Sequence, residues 1–225
     1  MNSKLRHIKR FLDFSIQKSL RLNIKYFGLR EGIKLPIFVS KNVKLQSLKG
    51  SISFDCPIKT GLVKLGFETL GISDKKYNRT IWHNNGKIIF KAGAEFGNSM
   101  KICVFKGGVL RVGDSCGFTG NSTIICSKNI SIGSQCLISW ECQIMDTDFH
   151  KIFNQQKDII NNPESIRIGD SVWVGSRVSI LKGSIIPANS VIASGSIINK
   201  EFSHENCIYG GIPAKSLRQD ILWEK

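Results

Sequence analysis

From Ile168 to Phe202 apolar residues return every six positions. Written in rows, IGDSVW, VGSRVS, ILKGSI, IPANSV, IASGSI and INKEF place Ile168, Val174, Ile180, Ile186, Ile192 and Ile198 in one column. Val172, Val178, Ser184, Ser190, Ser196 and Phe202 form a second, small or β-branched until its last member. Neither the period of about 3.6 of an amphipathic helix nor plain strand alternation gives this order. It is the order of a coil with flat sides. The same phase holds upstream, with Ile132, Ile138 and Ile144 in the first column and Cys136 and Cys142 in the second. Were about a third of residues aliphatic by chance, nine in succession would occur on the order of once in twenty thousand. The pattern predicts a parallel β-helix in which each row is one short side, its aliphatic residue inward and its small residue at a corner. Three rows close a turn, and successive turns stack in ladders about 4.8 Å apart. One turn cannot bury its own face, so several must stack.

The flanking segments follow other periods. In residues 3–25, Leu5, Ile8, Leu12, Ile16 and Leu20 share one helical face, with Lys4, Lys9, Arg10, Lys18 and Arg21 mostly elsewhere. From Gly32 to about Gly97 the alternation is β-like but irregular, which predicts early coils separated by a loop at Asp74–Asn85. Val112, Phe118, Ile124 and Ile130 restore the column before two additional residues shift its phase to Ile132. Pro213 is expected to end the coil, followed by a short C-terminal helix. The organisation expected is therefore a basic amphipathic segment over 1–31, irregular coils over 32–109, regular coils over 110–209 with a loop at 150–165, and a tail over 210–225.

Composition narrows the class. A chain of 225 residues suffices for one sizeable core. It has no apolar run near the length of a membrane span and no signal-peptide pattern, so a cytoplasmic protein is expected. The seven cysteines include no CxxC pair and read as small buried residues. The net charge of +15 is uneven: residues 1–70 hold 14 Lys/Arg and 4 Asp/Glu, hence +10, leaving +5 for the rest. Such a surface attracts nucleic acid, anionic lipid or a polyanionic small molecule such as coenzyme A. No base-reading or RNA-binding motif is present, so nucleic acid is not an expected partner. The amphipathic segment packs on the coil or on a neighbouring subunit, or lies against an anionic membrane.

The repeat fails once, between Met145 and Ser165. His150 occupies the place of an aliphatic residue, and Gln156 and Asn162 the next two in phase. One turn's length of chain therefore leaves the coil as an excursion loop, and polar residues where a core would reject them point to function or to a surface loop. An imidazole accepts and returns protons near neutrality, and Asp146 and Asp148 stand close to it in sequence.

These columns, the histidine opening the excursion and Val172-Trp173-Val174-Gly175-Ser176 resemble the hexapeptide-repeat, left-handed β-helix acyltransferases. The resemblance covers residues 110–218 well and the first hundred poorly. It implies acetyl-CoA as cosubstrate and His150 as the general base that activates an acceptor for direct attack on the thioester, with Asp146 or Asp148 supporting the imidazole or holding acceptor hydroxyls. It implies further that Trp173, Gly175, Ser176 and Ser194 line the pantetheine groove, that Asn199, Lys200, Lys215 and Arg218 meet the coenzyme's phosphates, and that Asn121 contacts the acceptor. Relatives are trimers with sites between subunits, so a homotrimer is expected, and the overall pattern looks most like enzymes that O-acetylate sugars of bacterial surface polysaccharides. N-acetylation of an amino sugar or antibiotic and a non-catalytic scaffold remain as alternatives. Zinc-dependent carbonic anhydrases share the architecture, but His7, His83 and His204 show no ligand spacing, so no metal is expected.

Overall fold

The structure, a computed structural model, describes residues 12–67, 74 and 77–224. The chain winds into a three-walled prism of short parallel strands, a left-handed parallel β-helix. The strands Ile37–Val39, Val43–Leu48 and Ser51–Phe54 open the first, second and third walls, which hold nine, seven and six strands.

The inward columns are those of the repeat. Ile132, Ile138, Ile144, Ile168, Val174, Ile180, Ile186, Ile192 and Ile198 are buried, as are the corner residues Cys136, Cys142, Val172, Val178, Ser184, Ser190 and Ser196. A corner admits only a small side chain, and a serine there finds a carbonyl. Ser184 Oγ donates to Leu181 O at 2.6 Å and Ile198 O at 3.1 Å, and Ser196 Oγ to Ala193 O at 2.6 Å. Cysteine serves the same way, Cys136 Sγ lying 3.1 Å from Gly169 O and Cys142 Sγ 3.1 Å from Gly175 O. All seven cysteines are free. Burial, chiefly, pushes the Cys126 thiol up to about 12, which leaves it protonated and inert near neutrality.

Coil length explains why the six-residue order fades towards the N-terminus. Ile168 pairs with Ile186, eighteen residues on, but Val112 pairs with Ile132, Phe96 with Phe118 and Ile52 with Ile88. None of those three steps is eighteen, and the longer early strands point two residues inward, such as Ile88 with Phe90 and Ile102 with Val104. Aromatic rings fill the wider core: Phe96 stacks on Phe118 with centroids 4.5 Å apart, and Phe90 meets Phe96 edge-on at 6.2 Å. The loop expected at Asp74–Asn85 ends sooner than that, because Thr80–Asn84 is a strand of the second wall with Thr80, Trp82 and Asn84 inward.

Residues 3–11 of the expected helix lie outside the described residues. Helix α1 (Ile16–Gly32) starts at Ser15, whose hydroxyl accepts from Lys18 N. The apolar row read from the sequence is not its docked face: Leu12 and Ile16 are 62% and 53% exposed, whereas Ser19, Leu22 and Asn23 are buried. The reason is the open edge of Ile37–Val39, which among the described residues is met by no preceding strand of its wall, only by the bridge of Phe14 with Ser40 and the bond from Ser15 N to Val39 O. Asn23 Oδ1 accepts from Ile37 N at 3.0 Å, Asn23 Nδ2 donates to Ile37 O at 2.7 Å, and Ser19 Oγ accepts from Val39 N at 2.9 Å. Polar side chains on the helix thus cap the prism.

The short helix expected after Pro213 is instead a strand. Ala214–Arg218 folds back antiparallel on Ile208–Gly211. It covers the last edge of the first wall, which a helix would have left unpaired.

Candidate active site

The excursion leaves the corner between the second and third walls after the strand Gln143–Met145 and returns at Ile166–Ile168. Its first residue, Asp146, is fully buried and accepts from Ser127 N at 2.7 Å and Lys128 N at 2.8 Å. That carboxylate ties the corner of the preceding coil and sets where the loop departs. Thr147, almost buried, accepts from Phe149 N at 3.1 Å; Phe149 takes φ +62°, and His150 N donates to Asp148 O at 2.7 Å. This tight turn carries His150 outward.

A clasp holds the turn. Lys182 Nζ, from the next coil, donates to Asp148 Oδ2 at 2.5 Å, Asn161 O at 3.0 Å and Asn162 O at 3.4 Å. Asn161 Nδ2 donates to Asp148 Oδ2 at 3.1 Å and to His150 O at 2.8 Å, and its Oδ1 accepts from Ile152 N at 2.7 Å. The His150 backbone is therefore fixed from both sides. Its ring is exposed and, among the described residues, receives no hydrogen bond. Beside it is a cavity of about 290 Å³ lined by Phe105, Ser127, Thr147, Phe149, His150 and Asn161 with their loop neighbours. Phe105 and Phe149 meet edge-on at 5.6 Å on its rim.

The Lys182 ammonium holds the Asp148 carboxyl below the usual carboxylate range against the opposing effect of desolvation, with a lesser contribution from Asn161. A depressed folded-state pKa stabilises the clasp above the ordinary carboxylate range and loses that stabilisation as pH falls through the folded value. The clasp is therefore closed at neutral pH and opens only in acid. Lys182→Met should open it at neutral pH, and amide hydrogen exchange should quicken about fivefold at His150 and Ile152, in proportion to a partly exposed pair. Unchanged protection would show that the loop is held by other contacts.

The other residues singled out from the sequence fall at two further places. The corner between the first and second walls holds Gly175, Ser176 and Ser194 with Asn121 two coils earlier, as the register Gly117, Leu137, Trp173, Val191 fixes. Ser176 Oγ and Ser194 Oγ are 3.4 Å apart. A Cβ on Gly175 would lie 2.8 Å from Ile192 O, Ser194 N and Ser194 Oγ, so only glycine lets these coils close. Trp173, partly exposed at the edge of the corner, donates Nε1–H to Ser139 Oγ at 3.3 Å and packs near Trp223. Asn199 and Lys200 lie at the corner of the excursion, beyond Lys182, with Lys200 Nζ 5.4 Å from the centre of the Phe202 ring. Lys215 and Arg218 are exposed on the terminal strand of the first wall.

Within one chain the structure thus brings His150 together with Asp148 and Asp146 on one corner, but both carboxylates bond elsewhere and neither reaches the imidazole. The second wall separates this group from Ser176 and Ser194. Sequence reasoning missed Lys182, Asn161 and Phe105. The first had a signal, its corner position one coil after the loop; the other two are paired to the turn only by the fold. Among the described residues no group of three His, Cys, Asp or Glu side chains is placed to hold a metal, and no helix is long and apolar enough to cross a membrane.

No protein-family model matches the chain. It is 28% identical over 193 residues to an uncharacterised 24.8 kDa protein of the cps region of Klebsiella pneumoniae, covering 85% of this chain and 82% of that one. It is 38% identical over 105 residues to the polysialic acid O-acetyltransferase of Neisseria meningitidis, covering 46% of this chain and 49% of the relative, so it spans about half of that protein. Among solved structures, the polySia-specific acetyltransferase NeuO superposes with a TM-score of 0.55 at 24% identity, over 84% of this chain and 79% of that one, and shares the fold. The six-residue columns and the three-walled prism give the chain the left-handed β-helix fold that NeuO shares, and in sequence it is similar to the polysialic acid O-acetyltransferase of Neisseria meningitidis.

Proposed function

We propose that the chain is an acetyl-CoA-dependent O-acetyltransferase acting on a sugar hydroxyl of a bacterial surface polysaccharide. The observation that carries this reading is His150: an imidazole with a free ring at the mouth of a cavity, on a turn whose backbone is clasped from both sides. The acceptor O–H donates to the imidazole, which takes its proton as the oxygen attacks the thioester carbonyl. The C–S bond then breaks, and the leaving thiolate takes the proton back from the imidazolium. No covalent enzyme intermediate is needed. The name of the Neisseria relative supports a polysaccharide acceptor.

A homotrimer completes the site in this reading. The outer row of the second wall runs Cys103, Ile125, Met145 and Leu181 in register, all half-buried and apolar where a solvated strand face would be polar. A second copy covering that row would bring its own Gly175, Ser176 and Ser194 towards His150, with Asn121 beside the acceptor and Asn199, Lys200, Lys215 and Arg218 facing the phosphates. Asp148 acts through the clasp. The exposed Leu12 and Ile16 on the N-terminal segment support peripheral contact of residues 3–25 with an anionic membrane.

The test is thiol release from acetyl-CoA in the presence of isolated polysaccharide, with the product analysed by NMR. An acetyl ester cleaved by mild base is expected. A base-stable amide would establish the amine-acceptor reading instead, and absence of acceptor-dependent thiol release would leave a non-catalytic scaffold.

A further inference from the structure

The corner that carries His150 is basic along its length on the helix side. Lys49, Lys106 and Lys128 occupy it in three of the four coils that precede the excursion, and all three are exposed. Lys87 and Arg111 flank it on the third wall, where Arg111 Nη1 donates to Asn129 Oδ1 at 3.0 Å. At its far end, Arg21 and Lys25 of α1 face Ser47 and Lys49 across a cavity of about 300 Å³. At its near end, Lys106 follows Phe105, which already lines the His150 cavity. Among the described residues, the side chains of Arg21, Lys25, Lys49, Lys106 and Lys128 make no hydrogen bond or ion pair.

The carboxylates near this edge do not neutralise it. Asp146 is buried and occupied by two backbone amides, and Asp148 is paired with Lys182. Glu164 and Glu201 lie on the C-terminal side of the excursion. The helix side of the corner therefore presents a row of unpaired cations, and like charges held in a row on one edge repel one another unless a counter-anion covers them.

We infer that this corner, from the α1 cavity to His150, binds an anionic polysaccharide along several of its sugar units and feeds one of them to the base. The inference rests on the polysaccharide reading above and deepens it by naming the charge and reach of the acceptor. Coils are spaced about 4.8 Å apart, so four steps from Lys49 to the excursion cover roughly 19 Å. That reach exceeds a monosaccharide and suits an extended chain with anions at regular intervals. A single coenzyme would not need it, since its phosphates call for one compact cluster. The Phe105–Phe149 pair, sitting where the basic row meets the cavity, supplies an apolar surface for the sugar that enters.

Isothermal titration without acetyl-CoA tests this. The probes are long-chain polysialic acid, its disaccharide, neutral dextran, and phosphatidylglycerol vesicles. The wild-type protein should bind the long chain at least tenfold more tightly than the disaccharide, more weakly as salt is raised, and should not bind dextran. Combining Lys49→Gln, Lys106→Gln and Lys128→Gln should weaken long-chain binding about tenfold with an unchanged melting curve, since all three side chains are exposed. Removing the same charge elsewhere, with Lys41→Gln, Lys59→Gln and Lys91→Gln, should leave binding within about twofold. Equal loss in both triple variants would reduce the effect to net charge and overturn the inference. So would equal affinity for dextran, or binding to vesicles alone. Because no acetyl group is transferred, failure here is separable from failure of the thiol-release assay.

Discussion

His150→Ala is expected to lower turnover of acetyl-CoA by about 100- to 10,000-fold, the usual contribution of a positioned general base. The melting temperature should hold, because the ring is exposed and no hydrogen bond among the described residues depends on it. This combination separates chemistry from folding: the turn is kept by the His150 amide and carbonyl, which alanine retains. Polysaccharide binding should also survive, since the basic edge lies on the preceding coils. Turnover within a few-fold of wild type would remove His150 from the reaction and return the family resemblance to architecture alone.

The fold was legible where each wall takes one inward residue and each coil takes eighteen. There the column alone identifies Ile168, Val174 and Ile180 as core, and the small column identifies Ser184 and Ser190 as corners. Nearer the N-terminus the physics is unchanged, but Ile88 and Phe90 share one wall and the coils lengthen, so no fixed period survives. The helix was misjudged for a different reason. Amphipathicity marks the face a helix hides from water, yet α1 covers a strand edge, and what an edge needs is a donor and an acceptor. Asn23 and Ser19 meet that need. The C-terminal strand follows the same rule at the other end, where Ala214–Arg218 pairs with the edge of Ile208–Gly211 in the first wall.

The site was legible as an interruption and not as a geometry. A histidine in an aliphatic column marks its own position, but the partners that hold it come from 11 and 34 residues away along the chain, through Asn161 to His150 and Lys182 to Asp148. No local pattern encodes those pairings. Nor could the sequence tell the two aspartates apart, because proximity in sequence is the same argument for both. Burial divides them: Asp146 is enclosed with two amides, whereas Asp148 is partly exposed against an ammonium.

That division predicts a large loss of stability from Asp146→Ala. Both carboxylate oxygens accept backbone N–H groups at 2.7 and 2.8 Å in a fully buried position, and alanine would leave Ser127 N and Lys128 N without partners beneath the corner. Losing two charge-assisted bonds to these part-buried donors costs about 3 kcal/mol, which lowers the midpoint of a chain this size by roughly 6–12 °C. Asp146→Asn preserves the shape but turns an amide N–H₂ towards one of the two backbone donors, so it should destabilise by a similar amount. Thermal unfolding followed by circular dichroism measures both. Rate against pH, taken well below the lowered midpoint, separates the corner role from direct support of the imidazole. A carboxylate that bonds the imidazole sets its basicity, so losing it would displace the profile, whereas losing a corner tie would not. The expected result is a depressed midpoint with the profile in place; an unchanged midpoint with a displaced profile would move Asp146 from the corner into the chemistry.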